Sequence, residues 1–166
     1  MRIFLLGKHG QLGWELRRTL APLGELVCLD YPEIDLTHPE GAIQTIRQNR
    51  PQVVINATAY TQVDQAESEP ELANAINGVA PGRLAEACVE VGAAFIHYST
   101  DYVFDGEKDS AYTEDAATHP LNVYGHSKLN GEQAIVEAGC AHLILRTSWV
   151  YSLRGDSFVP KTLAWA

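Results

Sequence analysis

The sequence predicts an α/β fold of the doubly wound kind, a parallel sheet with helices on both faces. Short apolar runs that read as strands buried on both sides alternate with stretches of helical period from one end of the chain to the other. The connections between those runs have the length that a parallel crossover requires, rather than the two to five residues of a hairpin. A glycine-spaced turn, Gly7, Gly10 and Gly13, joins the first run to the first helical stretch.

The elements follow in order. Arg2 to Leu6 is an apolar run closed by Gly7, the first strand. From Gln11 the period changes, with Leu12, Leu16, Leu20 and Leu23 three or four apart, and Pro22 and Gly24 end that helix. Glu25 to Leu29 is the second strand, stopped by Asp30 and Pro32, and Ala42, Ile43 and Ile46 mark a helix between Pro39 and Asn49. Val53 to Asn56 forms the third strand. A polar, acidic helical stretch follows, and then one longer helix from about Glu71 to Val91, with Leu72, Ala75, Ile76, Leu84, Ala87, Cys88 and Val91 on its apolar side. Ala94 to Tyr98 is the fourth strand, Val123 to Glu137 a helix and His142 to Arg146 the fifth strand. Phe104 to Pro120 is the one long loop, and loops of that length inside compact domains usually carry function.

Composition narrows the class of ligand. With 12 basic and 21 acidic residues the net charge is −9, which repels phosphate backbones and anionic membrane surfaces, so nucleic acid and membrane are not expected as partners. A small metabolite, held where local dipoles override the global charge, fits better. Cys28, Cys88 and Cys140 lie far apart and odd in number, which argues against a disulfide framework and for a reducing cytoplasm, with all three as small buried apolar residues. The start, MRIFLLG, runs into the glycine turn too soon for a signal peptide or a span.

The glycine turn has a chemical reading. Side chains at Gly7, Gly10 and Gly13 would keep the backbone from a pyrophosphate seated on the positive end of the following helix. Asp30 closes the second strand twenty residues past Gly10, where a carboxylate accepts from ribose hydroxyls. A turn that only packs tightly, with an exposed aspartate behind it, is the alternative.

Tyr124 and Lys128 stand four apart in a predicted helix and so share a face. An ammonium near a tyrosine favours the phenolate, which makes the pair a proton relay, and lysine can also hold a nicotinamide ribose. By itself such a pair is equally a surface contact. What raises it is STDYVFDG, Ser99 to Gly106, just after the fourth strand, where a cleft opens at the carboxyl ends of a parallel sheet. Thr100 there supplies a hydroxyl for a carbonyl oxygen, or else caps a local turn.

The spacing of Gly7, Gly10 and Gly13 resembles the extended short-chain dehydrogenases, which have a Rossmann-like NAD(P)-binding fold. In that resemblance Gln11 and Leu12 open the phosphate helix, Asp35 and Leu36 lie beside the adenine, and Ala59, Tyr60 and Thr61 belong to the turn under the cofactor, with NATAYT in place of the commoner NAA. Thr100, Tyr124 and Lys128 match the Ser/Thr-Tyr-Lys triad. The segments GKHGQLGWEL, AESEPELANAIN, IHYSTDYVFDG, PLNVYGHSKLNGE and LILRTSWVY are more closely similar to the dTDP-4-dehydrorhamnose reductase family, in order and across nearly the whole chain.

That resemblance implies reduction of a dTDP-4-dehydro sugar by NADPH or NADH. Asp101 with Thr100 would touch the sugar nucleotide, and Trp149 would pack on the sugar or else fill the core. Glu15 matches a position linked to magnesium at a homodimer interface; a solvated helix glutamate is the plainer reading. Residues 1–166 would be the dinucleotide-binding domain with the triad, and the family's C-terminal substrate domain would be largely absent. Other readings are an epimerase or dehydratase of the same fold and a non-catalytic binding subunit; dehydratases tend to carry an acidic pair after the threonine, whereas Asp101 is followed by Tyr102.

Overall fold

The computed structural model describes residues 1–152 and 158–165. Five parallel strands, β1 (Arg2–Leu6), β2 (Glu25–Leu29), β3 (Val53–Asn56), β4 (Ala94–Thr100) and β5 (His142–Thr147), form one sheet in the order β2-β1-β3-β4-β5. The chain therefore leaves β1 to one side for β2 and returns to its other side for β3. That reversal places a crevice at the carboxyl ends of β1 and β3, the position where open sheets of this type take ligands.

The helices are α1 (Gln11–Leu20), α2 (Glu40–Asn49), the short α3 (Val63–Ala66) and α4 (Pro70–Asn74), α5 (Ala80–Val91), α6 (Val123–Ala138) and α7 (Phe158–Trp165). On one face of the sheet Phe4, Leu6, Val54 and Phe95 pack with Ala42, Ile43 and Ile46 of α2, Leu84 of α5 and Ile135 of α6. On the other face Ile3, Leu5 and Ile55 meet Leu16 and Leu20 of α1. Among the described residues the winding is thus double, with α2, α5 and α6 in the cluster on one face and α1 in that on the other. Leu23, expected on the stripe of α1, lies in a 3-10 turn beyond it and is 55% exposed.

The helix predicted over 71–91 is present as one uninterrupted helical run, Pro70 to Val91, but its winding changes part-way. Between α4 and α5 the residues Ala75–Val79 form a turn of π-helix. Pro81 explains part of this, because it has no N–H to give to the carbonyl four residues back, Asn77. The rest is tertiary: a Cβ on Gly131 of α6 would collide with that same Asn77 carbonyl oxygen, so the two helices touch backbone to backbone there. Cys88 and Cys140 are buried, Cys28 is half-buried and all three are free. No helix among the described residues is long and apolar enough to cross a membrane.

Candidate active site

The glycine turn sits where β1 meets the crevice, and its three glycines are required for different reasons. Gly7 has φ +92°, and a Cβ there would stand 2.8 Å from the Ala57 carbonyl carbon. A Cβ on Gly13 would run into the Gly7 carbonyl oxygen. Gly10 is different: a Cβ there would lie 3.6 Å from Gly7 O, an ordinary contact, so packing inside the protein does not demand glycine. Gly10 is also the N-cap of α1 and supplies no side chain to its amides, which leaves them for a ligand. Gln11 and Leu12 open that helix, and Gln11 Oε1 accepts from Ser152 Oγ at 3.1 Å.

Asp30 buttresses the turn from β2. Its Oδ2 accepts from the His9 amide at 2.8 Å and lies 3.3 Å from His9 Nδ1, while Oδ1 accepts from Tyr31 N at 2.8 Å. Lys8 reaches Glu33 at 2.7 Å beside it. Lys8 and His9 of the glycine turn thus lie beside Asp30, and positions 31 to 33 hold no arginine. Asp35 is exposed and accepts from Thr37 N and Oγ1 at 2.9 and 2.6 Å, which holds its carboxyl below the usual range. Leu36 is 8% exposed and packed in the core, so only its backbone is left to face an adenine.

The turn after β3 is clamped from two sides. Asn56 Oδ1 accepts from Thr58 N at 3.1 Å and Thr58 Oγ1 at 2.5 Å. Asn77, on the π turn, accepts from Tyr60 N at 2.9 Å and donates to Tyr60 O and Ser127 Oγ, both at 3.0 Å. Ala59 and Thr61 are exposed beside it, and the Tyr60 hydroxyl donates to Glu69 at 2.7 Å; burial, then that carboxylate, pushes the Tyr60 phenol up to about 12.

Thr100 ends β4, and Tyr124 stands on the first turn of α6, both at most 9% exposed. The helix start is fixed by Asn122 Oδ1, which accepts from Gly125 N at 2.7 Å, and by Glu67, which accepts from Val123 N at 2.9 Å. The Tyr124 ring meets Tyr102 edge-on at 5.6 Å. Burial raises the Tyr124 phenol above its ordinary value; the Thr100 side chain acts the other way, and the nearby Asp101 adds to the rise. Lys128 reaches from α6 across to β4. It is 1% exposed, its Nζ donates to Tyr98 O at 2.7 Å and lies 3.3 Å from His97 Nε2, and burial pulls its ammonium down to about 8. Burial, the largest influence on the Tyr124 phenol, raises it where proximity to an ammonium was expected to lower it.

Asp101 accepts from Ser148 Oγ at 2.6 Å, which ties the end of β5 to the end of β4. It also lines two open grooves, one of about 920 Å³ with Phe104, Glu132 and Arg146, and one of about 350 Å³ with Tyr102 and Leu121. Trp149 is 79% exposed at φ +51° with its ring edge-on to Phe158 at 6.0 Å, so it does not fill the core. Glu15 pairs with Arg18 at 3.6 Å, and among the described residues no group of three or more His, Cys, Asp or Glu gathers to hold a metal. Asn56, Asn77, His97, Ser127 and Glu132 are buried polar residues that sequence reasoning passed over. The available signal was a polar side chain inside an apolar period, as in VVIN and AFIHYS.

The family model of the RmlD substrate binding domain matches the chain over residues 1–166. The chain belongs to this family. The chain is 52% identical over 167 residues to the dTDP-4-dehydrorhamnose reductase of Escherichia coli (strain K12), covering 98% of this chain and 56% of that protein. It is 50% identical over 163 residues to the enzyme of that name from Burkholderia thailandensis, covering 98% and 55%. It spans little more than half the length of these relatives. Among solved structures, the dTDP-4-dehydrorhamnose reductase of Bacillus anthracis in complex with NADP superposes with a TM-score of 0.94 at 38% identity, over 98% of this chain and 58% of that one. A Thermus thermophilus UDP-glucose 4-epimerase complexed with NAD superposes at 0.84 and 24% identity over 94% and 58%, which shows the shared fold alone.

Proposed function

We propose that this RmlD chain carries the dinucleotide site and proton-transfer residues of a dTDP-4-dehydrorhamnose reductase, which reduces the 4-keto group of dTDP-4-dehydro-L-rhamnose with NADPH or NADH. The observation that carries the reading is Thr100, at the carboxyl end of β4, acting on the Tyr124 phenol, at the same end of the sheet as a glycine turn whose middle glycine is exposed. Relatives of this name at about half identity over 98% of the chain support the substrate.

The residues present fit the cofactor. Gly7 and Gly13 bring β1, α1 and the Ala57 turn close together, and Gly10 leaves uncapped amides for a pyrophosphate. Asp30 would meet the adenosine ribose, with the Lys8 ammonium nearby to temper its repulsion of a 2′-phosphate. The nicotinamide supplies the hydride. Tyr124 donates a proton to the oxygen that becomes an alkoxide and Thr100 hydrogen-bonds that oxygen, while Asp101 and Trp149 lie towards the sugar. A phenol raised above its ordinary value stays protonated, which suits a donor in the reductive direction. The enzyme works as a cytoplasmic homodimer in this reading.

The test is Tyr124→Phe in a protein extended to the full length of its relatives, with absorbance of the reduced nicotinamide followed on adding dTDP-4-dehydro-L-rhamnose. Turnover is expected to fall by about 10²-fold or more with cofactor affinity little changed. A variant that keeps more than about a tenth of the rate would overturn the assignment.

A further inference from the structure

Two carboxylates of one surface turn reach into both halves of the site. Glu67, Ser68 and Glu69 join α3 to α4. Glu69 accepts from the Tyr60 hydroxyl at 2.7 Å and from Gln65 Nε2 at 2.8 Å, so it holds the turn after β3 on which a nucleotide would settle. Glu67 serves the other half: its Oε1 accepts from Val123 N at 2.9 Å, across 56 positions of chain. Val123 opens α6, and the residue after it is Tyr124.

The Val123 amide has no partner within its own helix, because the first turn of a helix leaves its N–H groups unpaired. The N-cap residue satisfies a different one, Asn122 Oδ1 accepting from Gly125 N at 2.7 Å. At an exposed helix end water would serve Val123 N nearly as well, and Glu67 is itself exposed, so the bond adds little to stability. What water does not do is tie that amide to the α3–α4 turn. Ala66 and Ala73, fully buried on either side of the turn, lie in one apolar cluster with Tyr124, and Tyr60, Val63 and Val123 pack against it. Apolar contacts are non-directional. They bring α6 close to the turn without fixing where along its axis the phenol stands, and the Glu67 bond supplies the missing direction.

We propose that Glu67 is a positioning residue: through the Val123 amide it fixes the first turn of α6, and so sets the place of the Tyr124 hydroxyl relative to the turn that Glu69 holds through Tyr60. This role rests on Tyr124 as the proton donor and adds the group that places it. Reacting atoms must be held at about 3–3.5 Å, and a displacement of about 1 Å costs on the order of 10²-fold in rate. A hydrogen bond of small value to the fold thus has a large one for turnover.

The test uses a protein extended to the full length of its relatives, with kcat and KM for dTDP-4-dehydro-L-rhamnose, nucleotide affinity and melting temperature measured for each variant. Glu67→Ala is expected to lose about tenfold or more in kcat, with KM and nucleotide affinity within about threefold of the parent and the melting temperature within about 4 °C. Glu67→Gln keeps an oxygen that accepts from Val123 N and should recover most of the rate. Val123→Pro removes the same bond from its other end: proline has no N–H and suits the first position of a helix, and Asn122 before it is already extended at φ −140° and ψ 165°. In that background Glu67→Ala should change kcat by less than about twofold, since the bond is already gone. A Glu67→Ala protein within about twofold of the parent in kcat overturns the proposal. So does Glu67→Gln as slow as Glu67→Ala, or an equal loss from Glu67→Ala with and without Val123→Pro. Tyr124→Phe measured alongside keeps the two assignments apart: a fast Tyr124→Phe removes the proton donor, whereas a slow Tyr124→Phe beside a fast Glu67→Ala removes the positioning role alone.

Discussion

Tyr124 and Lys128 stand one turn apart on α6, yet the lysine amine is held by Tyr98 O and His97 on β4 while the phenol keeps company with Thr100 and Tyr102. Buried at 1% exposure, the amine is a destabilising group whenever it is charged.

Lys128→Met should therefore stabilise the fold at pH 7, by up to about 3 kcal/mol from the depression of the lysine's ionisation. The sign follows from linkage: a cation with a lowered folded value is penalised in full below about 8, and the penalty disappears as pH rises towards the ordinary lysine value of 10.5. Urea unfolding at several pH values would show the gap between variant and parent closing across that window. A constant gap would mean that packing, and not charge, separates them.

The glycine turn separates structure from binding. Gly13→Ala should cost several kcal/mol, or on the order of 3, because its methyl collides with the Gly7 backbone. Gly10→Ala should leave stability within about 1 kcal/mol and weaken reduced nicotinamide cofactor instead, since its methyl enters only the open crevice. Melting curves and cofactor fluorescence on the two variants distinguish these outcomes, and a Gly10→Ala protein that binds as well as the parent removes Gly10 from the site.

Glu132 is 5% exposed and accepts from Arg146 Nε and Nη2 at 2.6 to 3.2 Å, with the guanidinium 5.0 Å from the Phe104 ring centre. Arg146→Leu strands that carboxylate and should destabilise by about 3 kcal/mol. The double variant Arg146→Leu, Glu132→Met should recover most of the loss, since it removes both charges together. A double variant as unstable as the single one would assign the cost to lost arginine packing on Phe104.

Asp30→Ala should weaken both cofactors, because the carboxylate holds the His9 amide, and NADH more than NADPH, because a 2′-phosphate no longer meets a fixed negative charge. Titrations of the two nucleotides give the ratio; equal losses mean that Asp30 serves the turn and not the ribose.

All five strands were legible in the sequence as apolar runs, the first two closed by Gly7 and Asp30, while β4 and β5 run on to Thr100 and Thr147, past the expected Tyr98 and Arg146. The π turn was not, because it depends on the close approach of Gly131 from a segment some fifty residues away and on Pro81 acting at a distance of four. For Lys128, spacing assigned the helix face but not the tip of a long side chain, whose partners lie on another strand. Trp149 shows the same limit: residue type favours burial, while the observed backbone at φ +51° and the exposure of the ring are properties of where β5 ends.

Asn77 fastens the turn after β3 to α6 through Ser127, whose hydroxyl in turn donates to Tyr124 O at 2.7 Å. The turn after β3, the π turn and the first turn of α6 are consequently joined by one set of hydrogen bonds. Their amides should exchange with solvent as a single cooperative unit, so that a nucleotide settling on the turn at residues 57–61 would slow exchange in the π turn as well.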